Sequence, residues 1–118
     1  MSNNKSMPTE NTVFQQVCDL TDIVPGTGVC ALLNGEQVAI FRPTSAEDIF
    51  AISNTDPFSG SNVLSRGLIC QHKDELWVAS PLKKQRFNLS TGLCMEDERF
   101  SVKAYKAQVQ KGVVEISA

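Results

Sequence analysis

The chain has 118 residues, 42% hydrophobic and 20% charged, which is enough for one modest core of an ordinary globular protein. Its formal net charge of −2 gives no electrostatic reason to expect a polyanion and argues against nucleic acid as a partner. No apolar run approaches membrane-spanning length, since the longest is broken at Asn34-Gly35.

Residues 1–12, MSNNKSMPTENT, lack the apolar stretch of a secretory signal and read as a disordered N-terminal tail. The chain is accordingly expected in the cytoplasm, with its folded domain at 13–118. A first strand is predicted over residues 12–20, TVFQQVCDL, and Pro25-Gly26 ends its trailing loop. The two glycines of PGTGVC (25–30) lack the strand–loop–helix setting of a nucleotide-binding loop and read as a turn. GVCALL and EQVAIFR flank Asn34-Gly35, a hairpin signal because both turn residues tolerate positive φ. DIFAIS (48–53) follows a polar turn that begins at Pro43. LICQH and ELWVAS flank Lys73-Asp74 in a second tight hairpin, QRFNL precedes Ser90-Thr91-Gly92, and SVKAYKAQV and VVEIS close around Lys111-Gly112. The result is about nine strands spaced roughly 8–12 residues apart. No window keeps a helical apolar stripe, and TSAED offers one turn at most. The expected fold is all-β, a sandwich or barrel of short antiparallel strands with no internal repeat.

Two connections break the regular spacing: NTDPFSGSNVLSRG (54–67) and SPLKKQRF (80–87). Each begins where an apolar run ends, and in each a short polar residue, Asp56 or Ser80, is followed by Pro. Long connections in a small domain tend to carry function. The rest of the sequence offers little competing chemistry. The four cysteines at 18, 30, 70 and 94 contain no C-x-x-C pair, and disulfides are rare in the cytosol. Cys18 and Cys30 lie in apolar runs and read as small hydrophobes, whereas Cys70 and Cys94 lie nearer to turns and are left unassigned. Trp77 and Tyr105 fall on predicted strands and read as core or sheet-face residues. With a single histidine and no Gly-rich phosphate loop, no independent catalytic activity is expected.

The two loops resemble those of the Rieske iron–sulfur domain, in which C-P-H and C-P-x-H place two Cys and two His around a [2Fe–2S] cluster. Set on this chain, the ligand positions fall on Asp56, Phe58, Ser80 and Lys83, and RFNLSTG (86–92) is similar to the stretch that follows the second loop. More closely, VCALLNGEQVAIFR, NTDPFSGSNVLSRG and VASPLKKQRFNLSTGLCMED resemble the family of small subunits of the assimilatory NAD(P)H-dependent nitrite reductases. The resemblance spans about residues 13–116 and implies a Rieske-like domain with two protruding loops. It also implies a large catalytic subunit carrying FAD, sirohaem and [4Fe–4S], which reduces nitrite to ammonium.

The residues speak against a cluster in this chain. Phe58 has no lone pair, Ser80 would have to ionise a hydroxyl, and Lys83 would have to lose a proton from a strongly basic amine. Asp56 alone cannot hold a thiophilic cluster. Cys70 and His72 form a C-x-H decoy, but a Rieske site needs two histidines and His72 stands alone. The expected role is therefore a cofactor-free subunit; the alternatives are a Rieske-type ferredoxin, which the missing ligands oppose, and a general β interaction module. Two arrangements of the ligandless site are open. In one, Asp56 and Lys83 pair across the gap while Phe58 fills the volume. In the other, both charges face solvent and Pro57, Phe58, Pro81 and Leu82 pack together. Arg66, Lys83, Lys84 and Arg86 cluster in or beside the loops, either as ordinary solvated side chains or as a docking face for an acidic partner.

Overall fold

The computed structural model describes residues 13–117. The expected N-terminal tail lies outside the described residues. Nine strands form among those described: β1 (Phe14–Asp19), β2 (Thr27–Leu33), β3 (Glu36–Arg42), β4 (Phe50–Ser53), β5 (Leu68–His72), β6 (Glu75–Ala79), β7 (Arg86–Asn88), β8 (Ala104–Gln110) and β9 (Val113–Ser117). Short 3-10 turns occupy Leu20–Asp22, Leu64–Arg66 and Glu98–Phe100. The all-β expectation holds, and every strand pairing is antiparallel. No helix among the described residues is long and apolar enough to cross a membrane, which says nothing of membrane β-barrels.

Three two-residue turns set the hairpins. Asn34-Gly35, Lys73-Asp74 and Lys111-Gly112 all have positive φ at both residues, between 51° and 83°. That geometry matches the right-handed twist of the flanking strands. The strands assort into a six-stranded sheet, β1-β9-β8-β4-β3-β2, and a three-stranded sheet, β5-β6-β7. The larger sheet is closed in its middle by β4 pairing with β8, where Ala51 faces Tyr105 and Ile52 faces Ala104.

Period-2 alternation then divides the apolar side chains between two cores. Val38, Ile40 and Ala51 join Leu20, Ile23, Leu33, Val114 and Ile116 on one face of the six-stranded sheet. Ala39, Phe41 and Ile52 point the other way and pack with Leu64, Val78, Phe87, Leu89 and Cys94, which joins the two sheets. Because β3 is covered on both faces, it reads as a continuous apolar run rather than an alternating one. Trp77 is buried, as expected of a core residue. Cys94 is buried in the second core, and none of the four cysteines is in a disulfide.

Cys30 departs from the expected small hydrophobe of an apolar run. It lies opposite Ala39, on the face of edge strand β2 shared with the second core, yet is exposed, with its Sγ 3.4 Å from Gln37 Oε1 and 3.4 Å from Asn54 Nδ2. Alternation turns Val29, Ala31 and Leu33 towards the first core, where Leu33 is buried and the other two are half-buried.

Candidate functional site

The two long connections meet at one end of the molecule and are built alike. In the first, Asp56 N–H donates to the Ser61 carbonyl at 2.8 Å and Gly60 N–H donates back to the Asp56 carbonyl at 2.7 Å. In the second, Ser80 N–H donates to the Gln85 carbonyl at 2.8 Å and Lys84 N–H donates back to the Ser80 carbonyl at 3.0 Å. Pro57 and Pro81 take the second position of each turn. The leading side chain also accepts from the amide two residues on: Phe58 N–H to Asp56 Oδ1 at 2.8 Å, and Leu82 N–H to Ser80 Oγ at 3.3 Å. Such local acceptors are why Asp and Ser favour turns. The fifth residue of each turn has positive φ, 76° at Gly60 and 66° at Lys84.

The leading residues, Asp56 and Ser80, are 0% and 1% exposed and face each other. Ser80 Oγ donates to Asp56 Oδ2 at 2.5 Å, within the range for a hydroxyl bonded to a carboxylate. This bond overturns the Asp56–Lys83 pair of the first arrangement and the solvent-facing Asp56 of the second, whose solvent-facing Lys83 holds. Asp56 neither pairs with Lys83 nor faces solvent, and Lys83 is exposed with no ion-pair partner among the described residues. The reason is positional. The first residue of each turn points inward at a strand end, whereas the fourth residue of the second turn points out. A buried carboxyl needs donors, and the Ser80 hydroxyl and the Phe58 amide supply them.

Phe58 remains at the loop end, tilted at 55° against the buried Phe87 with centroids 6.4 Å apart. It also stacks on Phe100, 4.5 Å between centroids and 26° between planes. Phe100 belongs to a third segment, Glu98–Phe100, that sequence reasoning did not associate with the loops. Asp97 caps that turn by accepting from Arg99 N–H and also pairs with the Arg99 guanidinium at 2.7 Å. Asn54 was missed as well. Fully enclosed at the end of β4, its Oδ1 accepts from Ser65 N–H at 2.7 Å and its Nδ2 donates to Gln37 Oε1 at 3.1 Å, which holds the first loop to β3. Its one sequence signal is an Asn at a strand end, a common place for side-chain-to-backbone bonding.

The four cations divide. Arg86 N–H and Nε donate to Glu96 at 2.8 and 2.7 Å, so its guanidinium is engaged. Partial burial works to raise the Glu96 carboxyl, but the hydrogen bonds and charge of Arg86 outweigh it and hold the group below its usual range. Arg66, Lys83 and Lys84 are exposed and have no ion-pair partner among the described residues. Arg66 and Lys84 line a cavity of about 280 Å³ with Leu68, Ser80 and Pro81. Pro57 helps line a wider groove of about 590 Å³ with Glu36, Lys103 and Tyr105. There the Tyr105 hydroxyl donates to Glu36 Oε1 at 2.8 Å, and burial together with that carboxylate pushes the phenol up to about 12.

The positions that would hold a Rieske cluster do not fit one. Asp56 and Ser80, at the two thiolate positions, are bonded to each other, and Phe58, at an imidazole position, is stacked on Phe100. Neither a benzyl ring nor a hydroxyl committed to a carboxyl supplies the soft donors that iron–sulfur clusters require. Among the described residues no three or more His, Cys, Asp or Glu side chains converge as a metal site.

Comparison with known proteins follows the same outline. A family model described as a Rieske-like [2Fe-2S] domain matches residues 13–117. The nitrite reductase (NADH) small subunit of Salmonella typhimurium is 67% identical over 103 residues, covering 87% of this chain and 95% of that protein. The solution structure of the Escherichia coli protein NirD superimposes with a TM-score of 0.85 at 64% identity, covering 91% of this chain and 97% of that one. The nitrite reductase [NAD(P)H] large subunit of Klebsiella oxytoca is 38% identical over 101 residues, covering 86% of this chain but 10% of that protein.

Proposed function

The chain belongs to the Rieske-like [2Fe-2S] domain family and, within it, to the nitrite reductase (NADH) small subunits; on that premise we propose that it acts as a cluster-free, non-catalytic subunit of a nitrite reductase. It docks by its two-loop end on a large subunit that reduces nitrite to ammonium with electrons from NADH or NADPH. The observation that carries this reading is the buried 2.5 Å bond between Ser80 and Asp56. It ties the loops together where a Rieske protein uses its cluster, keeping the docking shape without the redox centre. FAD, sirohaem and [4Fe–4S] belong, on this reading, to the partner, and the complex is cytoplasmic. Support for the partnership comes from the Klebsiella oxytoca large subunit, which carries a segment similar to this domain in about a tenth of its own length. Arg66, Lys83, Lys84 and Arg86 surround the docking end, where cations steer an acidic surface into register.

The test is reconstitution. Nitrite-dependent NADH oxidation by a purified large subunit is measured with and without this chain, alongside co-elution of the two and the iron content of the small chain alone. A stable complex, a rise in activity and no iron in the small chain support the proposal. Iron near one cluster per chain, with visible absorbance, overturns the cluster-free role, and absence of both complex and activation overturns the partnership.

A further inference from the structure

The second loop contains a residue that its twin does not explain. In the first loop the fifth position is Gly60, the residue that adopts positive φ without steric conflict. In the second loop the same position, with the same hydrogen bonds, is Lys84 at φ 66°. Lys73 and Lys111 also have positive φ, but in two-residue hairpin turns that impose it at both positions. At Lys84 a lysine stands where the matching loop uses glycine, against its backbone preference. Strain of this kind is most often retained where the side chain is used.

The use is indicated by what surrounds it. Lys84 and Arg66 both line the cavity of about 280 Å³, together with Leu68 and Pro81. Small-molecule pockets begin at about 300 Å³, so this volume suits one or two side chains rather than a cofactor. Arg86 is taken by Glu96 and Arg99 by Asp97, which leaves Arg66, Lys83 and Lys84 as unpaired cations of the loop region among the described residues. Beside them Leu68 is 78% exposed and Leu82 is 51% exposed. A free small anion would leave that apolar surface in water, whereas a protein segment would cover it.

We infer that the cleft between Arg66 and Lys84 is a carboxylate pocket, which receives an Asp or Glu side chain of the large subunit while an adjacent apolar residue packs on Leu68 and Pro81. The inference rests on the docking role proposed above and assigns its specificity. Arg66 offers the planar fork that grips a carboxylate bidentately, and Lys84 offers a point charge. Lys83, outside the cavity lining, contributes to long-range steering only.

The experiment measures binding of the purified large subunit to immobilised small chain across a salt series. Lys84→Gly installs the residue of the first loop, so it removes the ammonium while relaxing the backbone, and thermal stability should not fall. Arg66→Gln removes the fork, and Lys111→Gly makes the same chemical change in an unrelated turn. Roughly tenfold weaker binding is expected for Lys84→Gly and for Arg66→Gln, with a shallower salt dependence and no change for Lys111→Gly. Wild-type binding that persists within about twofold in the Lys84→Gly/Arg66→Gln double variant overturns the pocket and leaves the partnership standing. An equal loss in Lys111→Gly shows a bulk charge effect and also overturns the pocket. No wild-type binding at any salt overturns the docking role and the pocket with it.

Discussion

Removing the Ser80 hydroxyl tests the central feature of the loop end. Ser80→Ala deletes one oxygen in a position 1% exposed and leaves Asp56 Oδ2, itself fully enclosed, without the donor it had at 2.5 Å. A hydrogen bond to a charged group contributes about 1.5–3 kcal/mol, and an orphaned buried acceptor bears the whole desolvation penalty. The second bond of that hydroxyl, from Leu82 N–H at 3.3 Å, is long and adds little. In a domain of this size each kcal/mol lowers Tm by about 4–8 °C, so a fall of about 10 °C is expected. Thermal and urea unfolding followed by circular dichroism measure it. Amide hydrogen exchange of Phe58, Gly60 and Lys84 should accelerate more than that of β3, because these amides close the two turns. Asp56→Ala should destabilise similarly, and the double variant should be no worse than the more damaging single, since removing both partners leaves nothing unpaired across the gap. A Ser80→Ala midpoint within about 2 °C of the parent, or additive effects of the two changes, would refute the claim that this bond holds the loops together.

Four further outcomes are expected. Tyr105 is the sole tyrosine, so an ultraviolet titration reads it directly; its midpoint should lie near 12, and Glu36→Gln should lower it only in part, because burial is the larger cause. Because the folded-state value is raised, the stabilisation linked to the neutral phenol is complete below about pH 10 and is lost as pH rises through about 12. A folded-state midpoint at 10 contradicts both the burial of the phenol and the Glu36 contact, and an unchanged midpoint in Glu36→Gln contradicts the contact alone. For Glu96, whose carboxyl is lowered, the sign reverses: its contribution is present above the usual carboxylate range and fades as pH falls. The Arg86–Glu96 pair is well exposed, so Glu96→Gln should cost less than about 1 kcal/mol in urea unfolding. Gly67→Ala puts a Cβ into the Ala79 carbonyl oxygen and 2.7 Å from Val78 Cγ2, so a loss of about 1–3 kcal/mol is expected; an unchanged Tm contradicts that close packing of β5 on β6. Phe100→Ala removes the 4.5 Å stack on Phe58 from a ring already 37% exposed, and about 1 kcal/mol should be lost, with the Phe58 ring resonances shifting in a proton spectrum.

Much of the fold was legible because it is local. Asn34-Gly35, Lys73-Asp74 and Lys111-Gly112 mark hairpins by the conformations their own residues accept, and the strands between them match the apolar runs closely. The substituted ligand positions could also be read directly, since Phe58 and Lys83 lack the donors a cluster requires whatever surrounds them. Both properties belong to residues or to immediate neighbours in the chain.

Tertiary structure decided what depends on residues far apart in sequence. β4 meets β8 across some fifty positions, and that pairing sets which face of β3 joins which core. Cys30 looks buried by the company it keeps but is exposed because β2 is an edge, beyond the second core that covers its neighbour Ala39. For Asp56 the sequence left open a pair with Lys83 or a place in solvent, and neither is what the fold does. Opposite charge suggested Lys83, while the turn geometry directs the first position of each loop inward and so selected Ser80, 24 residues away. Composition can say that a carboxyl and an ammonium lie in facing loops. Whether they meet is fixed by backbone direction at two strand ends, which no local stretch of sequence sets.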